Sequence, residues 1–482
     1  MKVLYIATEC KPFSKAGGIG DVAGELPPVL GELGVDIEIV TPWYGSLKTD
    51  GFTVDLDEKL SVGTSMLRGV PISFLKSLKY FEGHYSPVYI HSATPFYDDA
   101  LRFSHFSKAC LELIKRRKPD IVHINDWGLA YLFAFMEMEG IAAKKVITVH
   151  NIGYQGNIWK PLIWGTEMER ILAHHKYGPL FQDPRPEWYS VNALRLGLEL
   201  CDCAHTVSPH YAKEMTEPED RNRYFEGGKG LDWLARRLFN EGRLIGILNG
   251  FEYRHPPTEL EFKECLRKKK EKKEILGREF RDPNGFLIGF VGRAVEQKFK
   301  LLAEDFNGRP VLEHILDMPG VNVAVVASGL PEYESFLRDY QGRPNYSAFI
   351  GYSRTGAEDI SLGSDLFLMP SLYEPCGITQ MESLSCATPP LVRWTGGLVD
   401  TVKPHTQPHG TGFGFDGSTR WDVLNNLVKV VNEAREMYFT DTPKYMALQE
   451  NGFKERFFWK TAAMNYISSI YKPLLSGDMA KK

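Results

Sequence analysis

Apolar residues in this chain fall in short runs that alternate with amphipathic stretches. Val3-Leu-Tyr-Ile-Ala7 reads as a buried strand, and a short loop, Lys15-Ala-Gly-Gly-Ile-Gly-Asp21, follows it. Val22, Leu26, Val29, Leu30 and Leu33 then recur at helical spacing up to Gly34, and Ile37-Glu-Ile-Val40 is the next strand. This opening of strand, loop, helix and strand predicts a parallel sheet with right-handed crossovers and ligands at the carboxyl ends of its strands. Asp120-Ile-Val-His-Ile-Asn-Asp-Trp127 and Val146-Ile-Thr-Val-His-Asn151 repeat the pattern of an apolar strand running into a polar loop. Cys203-Ala-His-Thr-Val207 and Arg243-Leu-Ile-Gly-Ile-Leu248 are further strands, the second ending at Asn249-Gly250. Helices are predicted over Phe106 to Arg117 and Val191 to Leu200, whereas residues 52 to 97 are turn-rich and assign no element.

A second series begins after residue 280. Phe286 to Val291, Val321 to Ala327, Ser347 to Ile350, Leu366 to Met369 and Pro390 to Arg393 read as strands, so a second doubly wound α/β domain is expected. The run from Lys263 to Glu279 mixes acids and bases at helical spacing and predicts a solvated helix. With Pro256-Pro257 before it, it marks the join between two domains. Phe453 to Leu475 is aromatic and amphipathic, a helix that must bury one face.

Composition narrows the class. A chain of 482 residues is too long for one ordinary core and favours two or three domains. A net charge of −4 gives no reason to expect nucleic acid, and the acids interrupting the Lys263–Glu279 run make it a poor site for one. Seven cysteines without C-x-x-C spacing read as reduced thiols. The amino-terminal apolar run is too short for a signal peptide, and no apolar stretch approaches the ~18 residues that a membrane span needs. The expectation is a soluble cytoplasmic protein.

The candidate chemistry centres on Pro370-Ser-Leu-Tyr-Glu-Pro-Cys-Gly-Ile-Thr-Gln-Met-Glu382, with Thr395-Gly-Gly-Leu-Val-Asp400 after it. A buried strand delivers Glu374 to a loop that Gly377 breaks, and a helix is predicted from Ile378 to Leu384. One acid and several backbone N–H groups thus meet at a helix start, which suits an anionic ligand. Lys15 beside Gly17 and Gly18, and the basic pair Arg293 and Lys298, add cations. Two domains facing across a cleft would place Lys15 and His150 on one wall and Arg293, Lys298 and Glu374 on the other, the arrangement a departing diphosphate requires. His123, inside its apolar run, is expected to be packed and hydrogen-bonded. His150, the last residue before a loop, is better placed for a ligand. The Trp- and Tyr-rich stretch from 157 to 190 could stack on sugar rings, but a patch packed on the domain is expected. Beside these glycine, basic and Glu374 motifs no Asp-x-Asp marks a bridging metal.

Taken together, Lys15-Ala-Gly-Gly with Asp21, His123-Ile-Asn-Asp-Trp127, His150-Asn-Ile-Gly-Tyr-Gln-Gly156, Asn249-Gly250, Arg293 with Gln297-Lys298, Tyr373-Glu-Pro-Cys-Gly-Ile-Thr-Gln380 and Thr395-Gly-Gly-Leu-Val-Asp-Thr401 resemble the bacterial glycogen synthase and plant starch synthase family of retaining glucosyltransferases. The resemblance implies a GT-B fold: a Rossmann-like acceptor-side domain over 1–248, a nucleotide-sugar domain over 249–456, and a carboxyl-terminal helix over 457–482 packing back on the first domain. It implies transfer of glucose from a nucleotide sugar, ADP-glucose in most bacteria, to the non-reducing 4-OH of an α-1,4-glucan, with no metal or cofactor. Carried over by position, Arg293 and Lys298 would hold the diphosphate, with Lys15, the Gly17–Gly18 backbone and Thr379 near the phosphates. Glu374 would bind the transferred glucose with the amides around Cys376 and Gly377. His150 would bond the sugar's 6-OH, Asp126, Asn151 and Asn249 would shape the pocket, and Asp21 would lie on the nucleotide side. Departures from the family pattern are Gly292-Arg293-Ala294 for Ser-Arg-Leu, Phe299 after Gln297-Lys298 where glycine is usual, and Phe251-Glu252 for Ile-Asp without the following Trp-Asn-Pro. They leave open another retaining GT-B transferase with a different nucleotide sugar or acceptor, or a non-catalytic glucan-binding relative. Phe299 in place of that glycine could alter how the loop packs over the phosphates.

Overall fold

The computed structural model describes residues 1–47, 53–56, 61–77, 80–82, 87–89, 95–253 and 255–481. They form two compact units, Met1–Glu219 with Gly227–Gly250 and Trp459–Lys482, and Asp220–Glu226 with Phe251–Phe458. The chain therefore changes unit after residues 219, 226, 250 and 458, where the sequence suggested 248 and 456.

The main sheet of the first unit is built from β1 (Lys2–Ile6), β2 (Asp36–Pro42), β3 (Thr53–Leu56), β4 (Ser61–Leu67), β5 (Val70–Lys76), β6 (Ile121–Asn125), β7 (Lys144–Val149), β10 (Cys203–Thr206) and β11 (Leu244–Gly246). A separate antiparallel pair, β8 (Asn157–Trp159) and β9 (Ser190–Asn192), carries the aromatic segment. The main order is β11-β10-β7-β6-β1-β2-β5-β4-β3. β1 lies between β2 and β6 and is parallel to both, so the strand order reverses beside it. A doubly wound sheet opens its ligand crevice at such a reversal. The parallel sheet carries an antiparallel extension, since β4 runs against β5 and β3 against β4. This hairpin falls in the stretch to which the sequence assigned no element. Gly63 interrupts its alternation because a side chain there would lie 2.3 Å from the Trp43 ring.

The second unit's sheet holds β12 (Phe286–Ala294), β15 (Val321–Gly329), β16 (Tyr346–Ile350), β17 (Leu366–Met369), β18 (Pro390–Arg393) and β19 (Phe413–Phe415), with β13 (Asp305–Phe306) and β14 (Arg309–Pro310) a small hairpin aside. Its order, β16-β15-β12-β17-β18-β19, is parallel throughout. In chain order that is 3-2-1-4-5-6, the order of dinucleotide-binding sheets, with its reversal between β12 and β17.

The helix predicted as solvated spans Glu259–Gly277 and starts from a capping box in which Thr258 and Glu261 bond each other's backbone N–H. One face is not solvated. Lys269 is buried, donates to Leu362 O, Ser364 O and Thr388 Oγ1, and burial lowers its pKa to about 8. The predicted carboxyl-terminal helix is two: one ends at Lys454, and a second starts at Trp459 and passes through a π-turn at Ile467–Tyr471. Trp459, Tyr466, Ile470, Tyr471 and Leu474 are buried in the core of the first unit. There Tyr471 Oη meets His123 Nδ1 at 2.7 Å, and Thr148 Oγ1 lies 2.7 Å from His123 Nε2. His123 is fully buried and packed, as expected. In the second unit Arg393, on β18, is almost fully buried and donates to Arg223 O (2.6 Å), Tyr224 O (2.8 Å) and Leu372 O (2.7 Å). It thereby fastens the Asp220–Glu226 segment beside the loop that carries Glu374.

Candidate active site

In the second unit, Leu366-Phe-Leu-Met369 is buried and ends at the reversal point, where Pro370 stops the strand. The following loop is held from two sides. Leu372 N donates to Gln297 O (2.8 Å) and Gln297 Nε2 donates to Tyr373 O (2.8 Å), tying the loop to the helix Glu296–Ala303. On the other side Gly397 N donates to Glu374 O (2.9 Å) and Pro375 O (3.2 Å). That approach needs glycine, because a side chain at Gly396 would lie 2.0 Å from Glu374 O and one at Gly397 2.3 Å from Cys376 O.

Lys298, from the same helix, forms an ion pair with Glu374 Oε2. Ser371, fully buried, donates to that oxygen (3.1 Å) and accepts from Lys298 Nζ (3.3 Å). Lys298, Ser371 and Glu374 are therefore one hydrogen-bonded group, largely shielded from water. Ser371 lies within the Pro370–Glu382 motif, but a serine after a strand-ending proline carries no signal of its own. Cys376 is buried, and its carbonyl and that of Gly377 accept from Gln380 Nε2, each at 3.0 Å. Thr379 opens the helix Thr379–Ser385, and its hydroxyl rests 3.5 Å from Met369 Sδ. Arg293 is exposed at the end of β12, and its guanidinium has no hydrogen bond or ion pair among the described residues. Phe299 is fully buried, its ring 4.3 Å from that of Phe290 and 6.3 Å from that of Tyr333. The ring that stands where glycine is usual is part of the second unit's core.

In the first unit the residues after β6 and β7 meet. His150 N donates to Asp126 Oδ1 (2.6 Å), and Asn151 N donates to the same carboxylate. Asn151 Oδ1 accepts from Gly153 N (2.8 Å) and holds the next turn. His150 is neutral, burial lowering its pKa to about 3. Asp126 sits at φ +57°, ψ −178°, outside the left-handed helical well and in a region otherwise almost confined to glycine. Asn249 is buried, and its Oδ1 has no hydrogen-bond partner among the described residues.

The glycine loop departs from expectation. Lys15 and Asp21 pair with each other at 2.7 Å, and Gly17 precedes the helix Gly18–Glu32. The amides of Ala16 and Gly17 donate to the carboxylate of Glu9, with Gly17 N at 2.9 Å, so of the Gly17–Gly18 backbone expected near the phosphates the Gly17 amide is bonded within the protein. Glu9 is fully buried and its Oε1 has no hydrogen-bond partner among the described residues. Burial raises its pKa against these amide bonds. Its position two residues past the strand Val3–Ala7 was the available signal. The aromatic segment also differs: Trp159, Trp164, Trp188 and Tyr189 stand 48–59% exposed rather than packed, with Arg185 stacked 3.4 Å over the Trp188 ring.

Asp126 yields a measurable pH effect. Burial raises its carboxyl from 3.8 to about 7 against the two amide bonds that favour the anion. Between those values the folded chain keeps a proton that the unfolded chain releases, so this group makes stability fall as pH rises. Wild type is expected to lose on the order of 1–2 kcal/mol relative to Asp126→Asn across that window, after allowance for the part of the side chain that meets solvent. Urea unfolding of both proteins at several pH values measures the difference.

The profile described as "Starch synthase catalytic domain" matches residues 2–237, and the profile "Glycosyl transferases group 1" matches residues 271–454. The glycogen synthase of Hydrogenovibrio crunogenus is 31% identical over 98% of this chain and 100% of its own length. The chain belongs to the glycogen synthase and starch synthase family. The glycogen synthase of Clostridioides difficile is 32% identical over 97% of this chain and 99% of its own. Among solved structures, the catalytic domain of starch synthase IV from Arabidopsis thaliana, bound to ADP and acarbose, superposes with a TM-score of 0.79 at 26% identity, over 100% of this chain and 99% of that one. Sucrose-phosphate synthase from Thermosynechococcus elongatus shares the GT-B fold, with a TM-score of 0.61 at 15% identity. This member of the glycogen and starch synthases is thus a glycosyltransferase of two Rossmann-like domains. Among its described residues no helix is long and apolar enough to cross a membrane, and no cluster of His, Cys, Asp and Glu could hold a metal ion.

Proposed function

We propose that this chain transfers glucose from ADP-glucose to the non-reducing 4-OH of an α-1,4-glucan with retention of configuration. The observation that carries the reading is the Lys298–Ser371–Glu374 group at the strand reversal of a dinucleotide-type sheet, with Arg293 projecting from the neighbouring strand. An ion pair shielded from water holds a cation ready for phosphate and a carboxylate ready for sugar hydroxyls. Lys298 and Arg293 would take the charge that develops on the departing diphosphate. Glu374 would accept from hydroxyls of the transferred glucose, fixed in place by Gly397 and Ser371. The amides around Cys376 and Gly377 would help Glu374 hold the glucose, and Thr379 would complete the phosphate side.

In the first unit His150, Asp126, Asn151 and Asn249 would shape the pocket, with Lys15 and Asp21 on the nucleotide side. Retention then follows from attack on the face that the phosphate leaves, with the leaving phosphate taking the proton of the acceptor hydroxyl. No side-chain nucleophile enters this scheme. The ADP and acarbose of the starch synthase IV structure, a nucleoside diphosphate and an oligosaccharide analogue in a protein similar over its full length, support the donor and the acceptor class.

The test is a donor panel. ADP-, UDP- and GDP-glucose are each incubated with glycogen, and nucleoside diphosphate release is measured beside glucose incorporation. Fastest turnover with ADP-glucose is expected, and release of the α-1,4-linked product by a glucosidase specific for that linkage. Preference for another nucleotide replaces the donor in this reading, and absence of turnover with all three overturns it.

A further inference from the structure

We propose that Asn125 is a positioning residue that fixes His150 in its Nε2–H tautomer, so that the Nδ1 lone pair accepts a hydrogen bond from a hydroxyl of the bound sugar. The proposal rests on the glucosyl-transfer reading of the site and assigns a direction to one of its contacts. Asn125 ends β6, is almost fully buried, and was not among the residues that the sequence singled out.

The direction follows from donors and acceptors. Asn125 Nδ2 lies 2.9 Å from the carbonyl oxygen of Ile6, which can only accept. Turning the amide round would set two oxygens against each other, so the orientation is fixed. Asn125 Oδ1 is then an acceptor, and it receives the hydroxyl of Tyr5 at 3.0 Å. His150 Nε2 lies 2.8 Å from the same oxygen and must therefore carry the hydrogen. In a neutral imidazole the other nitrogen is bare. His150 Nδ1 has no protein partner among the described residues, while the backbone N–H of His150 is spent on Asp126. A sugar hydroxyl at that nitrogen must donate.

The imidazole stays neutral because burial disfavours its charged form, and among the described residues no anion bonds Nδ1. The titratable groups that face or couple to it are Asp126, bound to its backbone N–H, and the buried His123 and His205. Tyr5 lies across Asn125 and is held in its protonated form by burial.

The test reads the tautomer directly. Long-range 1H–15N correlation on the full chain labelled in its histidines, with His150 assigned by the signal lost in His150→Gln, should show a pyrrole-type Nε2 and a pyridine-type Nδ1. Addition of donor sugar should move the Nδ1 signal upfield, as acceptance of a hydrogen bond does. In Asn125→Leu the pattern should become a mixture of tautomers, and kcat should fall about tenfold with a smaller change in KM, the size of one hydrogen bond. Asn125→Asp keeps the acceptor but adds a charge against Nε2–H, so the acid limb of the activity profile should move to higher pH. A pyridine-type Nε2 in the wild type overturns the proposal. So does Asn125→Leu with a single unchanged tautomer and wild-type kcat. The spectra do not need turnover, so an inactive wild type with the expected pattern would count against the functional reading and not against the tautomer.

Discussion

Lys298→Ala is expected to lower kcat for glucose transfer by about 10²–10³-fold, about 3–4 kcal/mol of transition-state stabilisation. Two losses combine. The departing diphosphate loses a fixed cation, and Glu374 loses the partner that neutralises it within a group bonded through Ser371. The first loss acts where charge develops, so it should appear in kcat; the second should appear partly as a weaker fold. Lys298→Arg keeps the charge but replaces a point donor with a planar fork, and should recover only part of the rate. Nucleoside diphosphate release at saturating donor, measured beside an unfolding curve for each variant, separates the two. Activity of Lys298→Ala within threefold of wild type would remove Lys298 from the reaction.

Gly396→Ala should be the most damaging single methyl in the second unit. The residue sits at φ +49°, ψ −134°, a region that a side chain disfavours, and the added carbon would lie 2.0 Å from Glu374 O. Backbone strain and steric overlap each cost about 1–3 kcal/mol, so a total of roughly 3–5 kcal/mol is expected, with activity lost as the Glu374 loop is pushed out of register. Gly397→Ala meets a similar overlap, 2.3 Å from Cys376 O, without the unfavourable φ, and should cost less. Denaturant midpoints for the pair measure the difference. Equal midpoints would mean that the strain at residue 396 contributes little.

The alternation of apolar runs and helical stretches was enough to place both doubly wound sheets, because a strand buried on both faces is a continuous apolar run and each was followed by a turn residue. The hairpin β4–β5 escaped because Gly63 and the exposed apolar Met66 blur its alternation. At the site, the charged residues of the motifs were legible: Lys298 and Glu374 are in contact, and His150 is joined to Asp126. The parts that hold them were not. Ser371 and Asn125 are ordinary polar residues whose importance lies in which atom they face, and Glu9 differs from a surface acid only in being enclosed by the glycine loop. A linear pattern records which groups are present but not which donors are already taken.

The two-way exchange of segments has a bearing on synthesis. Tyr224 leaves the ribosome 169 residues before Arg393, the side chain that will secure it. His123 waits 348 residues for Tyr471. The first unit's core thus stays incomplete during synthesis until Trp459, Tyr466, Ile470, Tyr471 and Leu474 have been made.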